Sequence, residues 1–594
     1  MFFTNKKCRF LMVALVIVAM SALGPDCGEE ESSSMEAISG PSVDTTELLE
    51  NHCEKYVGGP RVERISEHVW AAMGHDLAHT VLINTAEGSV IVDTGMSPAR
   101  ARTMRQALES QAPVGKILAI IYTHSHIDHV GGTSVWAEEG TEIWATDIFT
   151  EHFLKQYGMF RPSETVRAMR QFGHHIDKES LPCSALGARM DIGAALESGV
   201  ILPTRTFSKK KTLDFGDVTL EMKAAPGETH DQLFIWIPED QTLIPGDNFY
   251  YAFPNLYTIR GSSRRPVKEW VRGLDRMRAL APEHMVPCHT RSVHGREKIA
   301  RVLTDYRDAI QWVHDEVVRR ANRLEDIETM KESIELPPHL ASRPYLQELY
   351  GQVDWSVHAI YTNYQGWFDG SAEDLYPMPS GEAARREIEM MGGAGAVLSS
   401  AEEAIANDEG KWAVHLLAKV EESGLAEGDQ SEKADELLAR AYRMLAADVS
   451  NTNGRAYLME SALELEHGRP YPRSVKVRDE IIESVPLDLI FNIMTTRLDT
   501  AAASDVHETV YFVFPDVDKR YIVTVRRGVV EVVEGEPLPY TPEPVATLMT
   551  DSVTYRKIAM GFTDAAKEVV SGNVKIKGSL PALIRFQDRF RAGI

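Results

Sequence analysis

From about residue 81, short apolar runs alternate with polar turns, and the runs have the length and β-branched content of strands. Val81-Leu82-Ile83 and Val90-Ile91-Val92 flank Asn84-Thr85-Ala86-Glu87-Gly88, which predicts a hairpin. Asp93-Thr94-Gly95 ends the second run, and Ser97 is placed to cap a helix carrying Arg100 to Leu108. A buried strand is predicted from Ile117 to Tyr122. β-structure resumes at Val218–Met222, Leu233–Ile237, Thr242–Ile244 and the short apolar run before His289. Strands interleaved with helices imply α/β organisation.

The period lengthens after Arg296. Ile299, Val302, Leu303, Tyr306, Ile310, Val313 and Val317 keep the i, i+3/i+4 spacing of one amphipathic helix. Helical patterns continue through Glu382–Met391, Ala401–Ala406, Lys411–Glu422 and Ser431–Ala447, without the 34-residue repeat of a helical solenoid. The aromatic block Trp355, Tyr361, Tyr364, Trp367 and Phe368 reads as core. After Pro470-Tyr471-Pro472 the strand pattern returns at Val510–Phe514, Tyr521–Val525 and Val529–Val533, and a later helix leads to Val574–Gly578.

At 594 residues the chain is too long for one core, and 43% hydrophobic with 25% charged residues is an ordinary globular mix. A net charge of −24 argues against nucleic acid or an anionic membrane as the main partner. An anionic substrate therefore has to be drawn in by local positive charge. Lys6, Lys7 and Arg9 before the apolar run Phe10 to Val18 read as an export signal. That places the protein in the periplasm or outside the cell. Cys27 is a candidate lipid-attachment cysteine, and Glu29 to Ser34 reads as a solvated tether. Cys53, Cys183 and Cys288 are odd in number and widely spaced, so no disulfide framework is legible. Cys288 reads as a buried small residue.

The chemistry concentrates where the Ile117–Tyr122 run ends. Thr123-His124-Ser125-His126-Ile127-Asp128-His129-Val130-Gly131-Gly132 offers four imidazole or carboxylate ligands within six residues. A sharply turning loop can present two of them to one ion and two to a neighbour. This donor set suits zinc, with iron and manganese as competitors. Two acids follow at strand–loop boundaries, Glu228 in Pro226-Gly227-Glu228 and Asp247 in Gly246-Asp247, and Cys288-His289 adds a histidine. Residues 150–210 are a polar insertion in which His174 and His175 read as a surface pair. The run Ile192 to Gly199 reads as a loop, a candidate for the pocket wall.

Together these motifs resemble the metal-binding motifs of the metallo-β-lactamase superfamily, and within it the alkylsulfatase family. Asn255-Leu256-Tyr257-Thr258-Ile259-Arg260-Gly261 resembles that family's sulfate-side segment, with Arg260 13 residues after Asp247. The likeness extends to Gly366–Gly370 and Glu389–Gly393. It implies two zinc ions per chain, one on His124, His126 and Glu228, the other on Asp128, His129 and His289. Asp247 would bridge them where the family usually has the longer glutamate. Asp128 and Arg260 are then the catalytic candidates, and Arg260 and Tyr257 the substrate-binding ones. His294 is a further candidate for the proton donor.

The resemblance also implies a fold. Residues 1–24 would be a signal peptide and 25–55 a polar tether. Residues 56–330 would form a metallo-β-lactamase αβ/βα sandwich, 331–469 an all-α dimerisation domain, and 470–594 an α/β sterol-carrier-like domain able to enclose an apolar tail. The expected reaction is zinc-dependent hydrolysis of an alkyl sulfate such as dodecyl sulfate by a homodimer. Alternatives on the same fold are hydrolysis of a phosphodiester, lactone or thioester, or a non-catalytic lipid-binding relative.

Overall fold

The computed structural model describes residues 42–190, 198–468, 482 and 485–590. The signal, Cys27, the start of the tether, most of the Ile192 to Gly199 run and Pro470–Pro472 lie outside the described residues. The described residues form two compact units, one within 42–468 and a C-terminal one within 482–590.

The first unit is built on two sheets. One has the order β1 (Arg61–Arg64), β2 (Val69–Met73), β3 (Thr80–Thr85), β4 (Gly88–Val92), β5 (Ile117–Ile121), β6 (Glu142–Thr146) and β7 (Arg205–Phe207). Its first four strands are antiparallel, and β4 through β7 run parallel. The expected hairpin is there, with Val81 opposite Val92. The helix Pro98–Glu109 starts where Ser97 accepts the amide N–H of Arg100.

The second sheet comprises β8 (Lys210–Asp214), β9 (Thr219–Ala224), β10 (Leu233–Ile237), β11 (Thr242–Ile244), β12 (His284–Met285) and β13 (Val293–His294). Val69, Val81, Val90, Val92 and Ile121 of the first sheet interdigitate with Leu220, Met222, Leu233, Ile235 and Ile244 of the second. All ten are fully buried, so the drive to stack the sheets is apolar area removed from water. The other face of the second sheet presents Phe234 and Leu243 to the helices Val267–Arg278 and Arg296–Ala321. Helices then cover the outer faces of a two-sheet sandwich, and the strand ends carry the loops of interest.

Helices fill the rest of this unit, among them Val353–Gln365, Ser380–Met390, Ala394–Ala406, Gly410–Ser423, Asp429–Asp448 and Thr452–His467. The last of these returns to the sandwich. Glu464 grips Arg170 with two bonds of 2.6 Å, and Glu460 accepts from the His175 backbone and imidazole. His175 is therefore a buried strut between two helical layers, contrary to its reading as half of a surface pair. The aromatic block is core only in part: Tyr361 is buried, but Tyr364 is 54% and Trp367 75% exposed.

Cys53 and Cys183 form a disulfide that closes 130 residues, a separation too long to leave a sequence signature. Cys53 follows a helix, Glu47–His52, so part of the expected tether is ordered against the sandwich. Cys288 is a buried free thiol, as expected.

The C-terminal unit contains a five-stranded sheet ordered β16 (Val529–Glu534), β15 (Lys519–Arg526), β14 (His507–Phe514), β17 (Pro544–Met549) and β18 (Lys575–Gly578). Phe491, Phe512, Phe514, Tyr521 and Tyr555 stack into its core. A cavity of about 10 Å³ lined by Leu548, Tyr555 and Ile558 is left, the space of roughly one water. No helix among the described residues is long and apolar enough to cross a membrane.

Candidate metal centre

β4 and β5 deliver the first part of the site. Asp93 follows β4 in the left-handed region, at φ 56°. Its Oδ1 accepts the Thr123 amide at 2.8 Å, and its Oδ2 accepts the Thr123 hydroxyl at 2.8 Å and His129 Nδ1–H at 2.7 Å. The loop after β5 carries His124 and His126, and the one-turn helix Ile127–Val130 carries Asp128 and His129. Gly131 and Gly132 are required behind it. A Cβ on Gly131 would lie 1.9 Å from the Met96 carbonyl oxygen, and one on Gly132 2.2 Å from that of Thr94.

β11 and β12 deliver the rest. Asp247 sits in the turn Gly246–Asn248 after β11, and His289 lies just past β12. Asp247 Oδ2 is 3.1 Å from His289 Nε2, 3.4 Å from His129 Nε2 and 3.6 Å from His124 Nε2. The shorter acid therefore reaches all three imidazoles. Asp128 Oδ2 lies 3.3 Å from His129 Nε2 and 3.5 Å from His289 Nε2. His124 and His126 meet at 2.9 Å. His124, His126 and Asp247 form one group able to hold a metal ion, and Asp128, His129 and His289 a second. Asp93, His129 and Cys288 make a third that shares His129.

Every one of these side chains is buried, which normally expels charge. Burial and the neighbouring His129 lower the His124 pKa to about 3, and burial with His124 and Arg260 lowers that of His126 well below 6.5. For His129 burial acts the same way, but Asp247, Asp128 and Asp93 outweigh it and hold its pKa well above 6.5. Burial would raise Asp247, yet His289, His129 and His124 pull it well below the usual carboxylate value. His129 Nε2 and Asp247 Oδ1 have no hydrogen-bond partner among the described residues. Orphaned, buried, mutually facing donors of this chemistry fit a cation.

Glu228 stands apart from those groups. Its carboxylate pairs closely with the Arg265 guanidinium, and both side chains are buried. The Tyr250 hydroxyl lies 3.5 Å from the same oxygen. Burial and Asp247 still raise the Glu228 pKa to about 7. The structure thus brings six of the seven expected ligands together and gives the seventh an arginine partner. A buried carboxylate is costly without an opposite charge, and Arg265 supplies it.

Arg260 also reaches the cluster. Its Nη2 donates to His126 Nε2 at 3.2 Å, and its Nη1 to Glu164 Oε1 at 2.6 Å. Tyr257 is half-buried on the same loop and makes none of the hydrogen bonds that join Arg260 to the cluster. His294 does not belong to the site. It lies on β13, 43% exposed, with Ser292 and Glu63. Sequence reasoning missed Asp93, Arg265 and Glu164. Asp93 stood in a strand-ending Asp-Thr-Gly that could have marked it; the other two carry no local signal.

Three family models match the chain: the metallo-beta-lactamase superfamily over residues 73–289, alkyl sulfatase dimerisation over 326–468, and alkyl sulfatase C-terminal over 476–591. A linear primary-alkylsulfatase of Pseudomonas sp. (strain ATCC 19151) is 32% identical over 522 residues, covering 84% of this chain and 96% of that protein. The chain belongs to the alkylsulfatase family. An (R)-specific secondary-alkylsulfatase of Pseudomonas sp. is 28% identical, over 86% of this chain and 78% of that one. The solved structure of the stereoselective inverting sec-alkylsulfatase Pisa1 from Pseudomonas sp. has the same fold, with a TM-score of 0.80 at 23% identity over 98% of this chain and 97% of that one. The family and its succession of sandwich, helical and C-terminal sheet regions agree with the expectation from sequence.

Proposed function

We propose that this alkylsulfatase-family chain hydrolyses alkyl sulfate esters, of the dodecyl sulfate kind, to the alcohol and inorganic sulfate. The observation that carries the reading is Asp247 Oδ2 lying 3.1–3.6 Å from three imidazole nitrogens beside Arg260. His124, His126 and Asp247 would hold one zinc ion and Asp128, His129 and His289 another, with Asp247 in reach of both groups; Glu228 would join the first only by giving up Arg265. When bound, such a pair lowers the pKa of water toward roughly 7 and draws charge from sulfate oxygens.

The chain's own residues supply the orientation. Asp93 fixes the His129 tautomer through Nδ1, and the Leu77 carbonyl does the same for His289 at 2.9 Å, so both Nε2 atoms face inward. Breaking the ester puts charge on the sulfate oxygens. The fixed charge and planar donors of Arg260 stabilise that change. An alkyl chain laid on an apolar wall gains about 0.8 kcal/mol per buried methylene. Tyr257 is the remaining substrate-side candidate.

We assign residues 56–330 to catalysis, 331–469 to dimerisation and 470–594 to the C-terminal domain. The expectations of export and of a lipid on Cys27 stand as proposals. Large apolar side chains exposed between Tyr364 and Met391 support a homodimer through the helical region matched as dimerisation. The test is sulfate release from dodecyl sulfate with paired metal analysis. His126→Ala is expected to abolish release and lower zinc content. Arg260→Ala is expected to weaken sulfate esters more than carboxylic esters, and equal losses on both remove its sulfate-binding role.

A further inference from the structure

The helix Arg161–Phe172 binds the Arg260 loop at three places, only one of which is an ion pair. Gln171 Oε1 accepts from the Arg260 amide at 2.8 Å and from the Thr258 hydroxyl at 2.9 Å. Arg167 donates to the Ile259 carbonyl at 2.7 Å and 3.2 Å. Those bonds fix the loop backbone on their own. The third contact, Glu164 Oε1 to Arg260 Nη1 at 2.6 Å, acts on the guanidinium itself. Both side chains are largely buried, at 13% and 7% exposure, so the pair is poorly screened by solvent.

A guanidinium grips a tetrahedral anion best with two parallel N–H donors. Here Nη2 faces His126, where the sulfate would sit, while Nη1 is already held by a carboxylate. We propose that Glu164 is an internal counter-anion that competes with sulfate for Arg260 and so speeds release of the product. The inference rests on reading Arg260 as the sulfate-binding residue. Its logic is one of charge. The ester is a monoanion and inorganic sulfate a dianion, so a fixed carboxylate beside the site penalises the product about twice as strongly as the substrate. With the proposed metal ions held, a site that attracts the ester also attracts its product, and such a bias keeps the product from blocking it. Glu164 is accordingly a positioning and selectivity residue, acting through Arg260.

The test compares wild-type enzyme with Glu164→Gln, Glu164→Asp and Arg260→Ala. Two quantities are measured: the inhibition constant of inorganic sulfate, and the calorimetric dissociation constant of decane-1-sulfonate, a monoanion that cannot be hydrolysed. Glutamine keeps the size and a hydrogen-bond acceptor but removes the charge. Glu164→Gln is expected to tighten inorganic sulfate by roughly tenfold and the sulfonate by about threefold, in keeping with their charges. Glu164→Asp keeps the charge and is expected to hold the wild-type ratio of the two. Unchanged or weakened sulfate binding in Glu164→Gln, or equal tightening of both anions, overturns the proposal. If Arg260→Ala weakens sulfate while Glu164→Gln does not tighten it, only the counter-anion role fails. If Arg260→Ala leaves sulfate binding unchanged, the reading of Arg260 fails first.

Discussion

Replacing Cys53 and Cys183 together by serine cuts a link that closes 130 residues of chain. In the chain-entropy account, opening a loop of that length frees the denatured state by about 5 kcal/mol at 25 °C, and real bridges deliver roughly 2–4 kcal/mol. The effect should reach the site. Two residues beyond Cys183, the Ala185 carbonyl accepts His52 Nε2–H at 2.7 Å, and the Leu186 carbonyl accepts the amide of Thr290, the neighbour of His289, at 2.9 Å. A second tie remains in the variant. The buried Arg455 guanidinium donates to the carbonyls of Val43, Asp44, Ser180 and Ala446, so the segment is loosened rather than released. Urea denaturation followed by tryptophan fluorescence, with thiol titration of unfolded protein before and after reduction, measures both the bridge and its worth. The expected result is two extra thiols after reduction and a loss of about 3 kcal/mol, reproduced by reductant on the wild type. No extra thiols, or an unmoved midpoint, refutes the reasoning.

Other outcomes follow from the same packing. Burial lowers the His52 pKa from 6.5 to about 4, so the unfolded chain takes up a proton first as pH falls. Stability from this group is complete above pH 6.5 and is lost between 6.5 and 4, by about 3 kcal/mol, and His52→Gln should flatten that limb of a melting-temperature profile. Arg265→Leu leaves the buried Glu228 carboxylate without its partner. Chelator-treated protein should lose about 3 kcal/mol on denaturation, and added zinc should recover much of it. Trp367→Glu combined with Met390→Glu places charge on two of the most exposed apolar side chains of the helical region and should shift a dimer to monomer by light scattering.

Local patterns were the legible part of this fold. The Val81–Val92 hairpin, the Ser97 cap and the glycine pair behind His129 depend on neighbours in sequence, where period and turn chemistry act. The ligand group was legible because its loops carry motif spacing. What escaped depends on long separations: Cys53 with Cys183, His175 with Glu460, Glu228 with Arg265, and Glu164 with Arg260. Burial of an aromatic residue also depends on what packs opposite, and Tyr364 and Trp367 show that composition alone does not decide it.

Zinc titration of chelator-stripped protein, followed by calorimetry and by turnover of dodecyl sulfate in the same samples, bears most directly on the proposed centre. Uptake of two zinc ions per chain with activity rising in step, and loss of both in Asp247→Ala, is the expected result. Full turnover in stripped protein, or zinc uptake unaffected by Asp247→Ala, contradicts it.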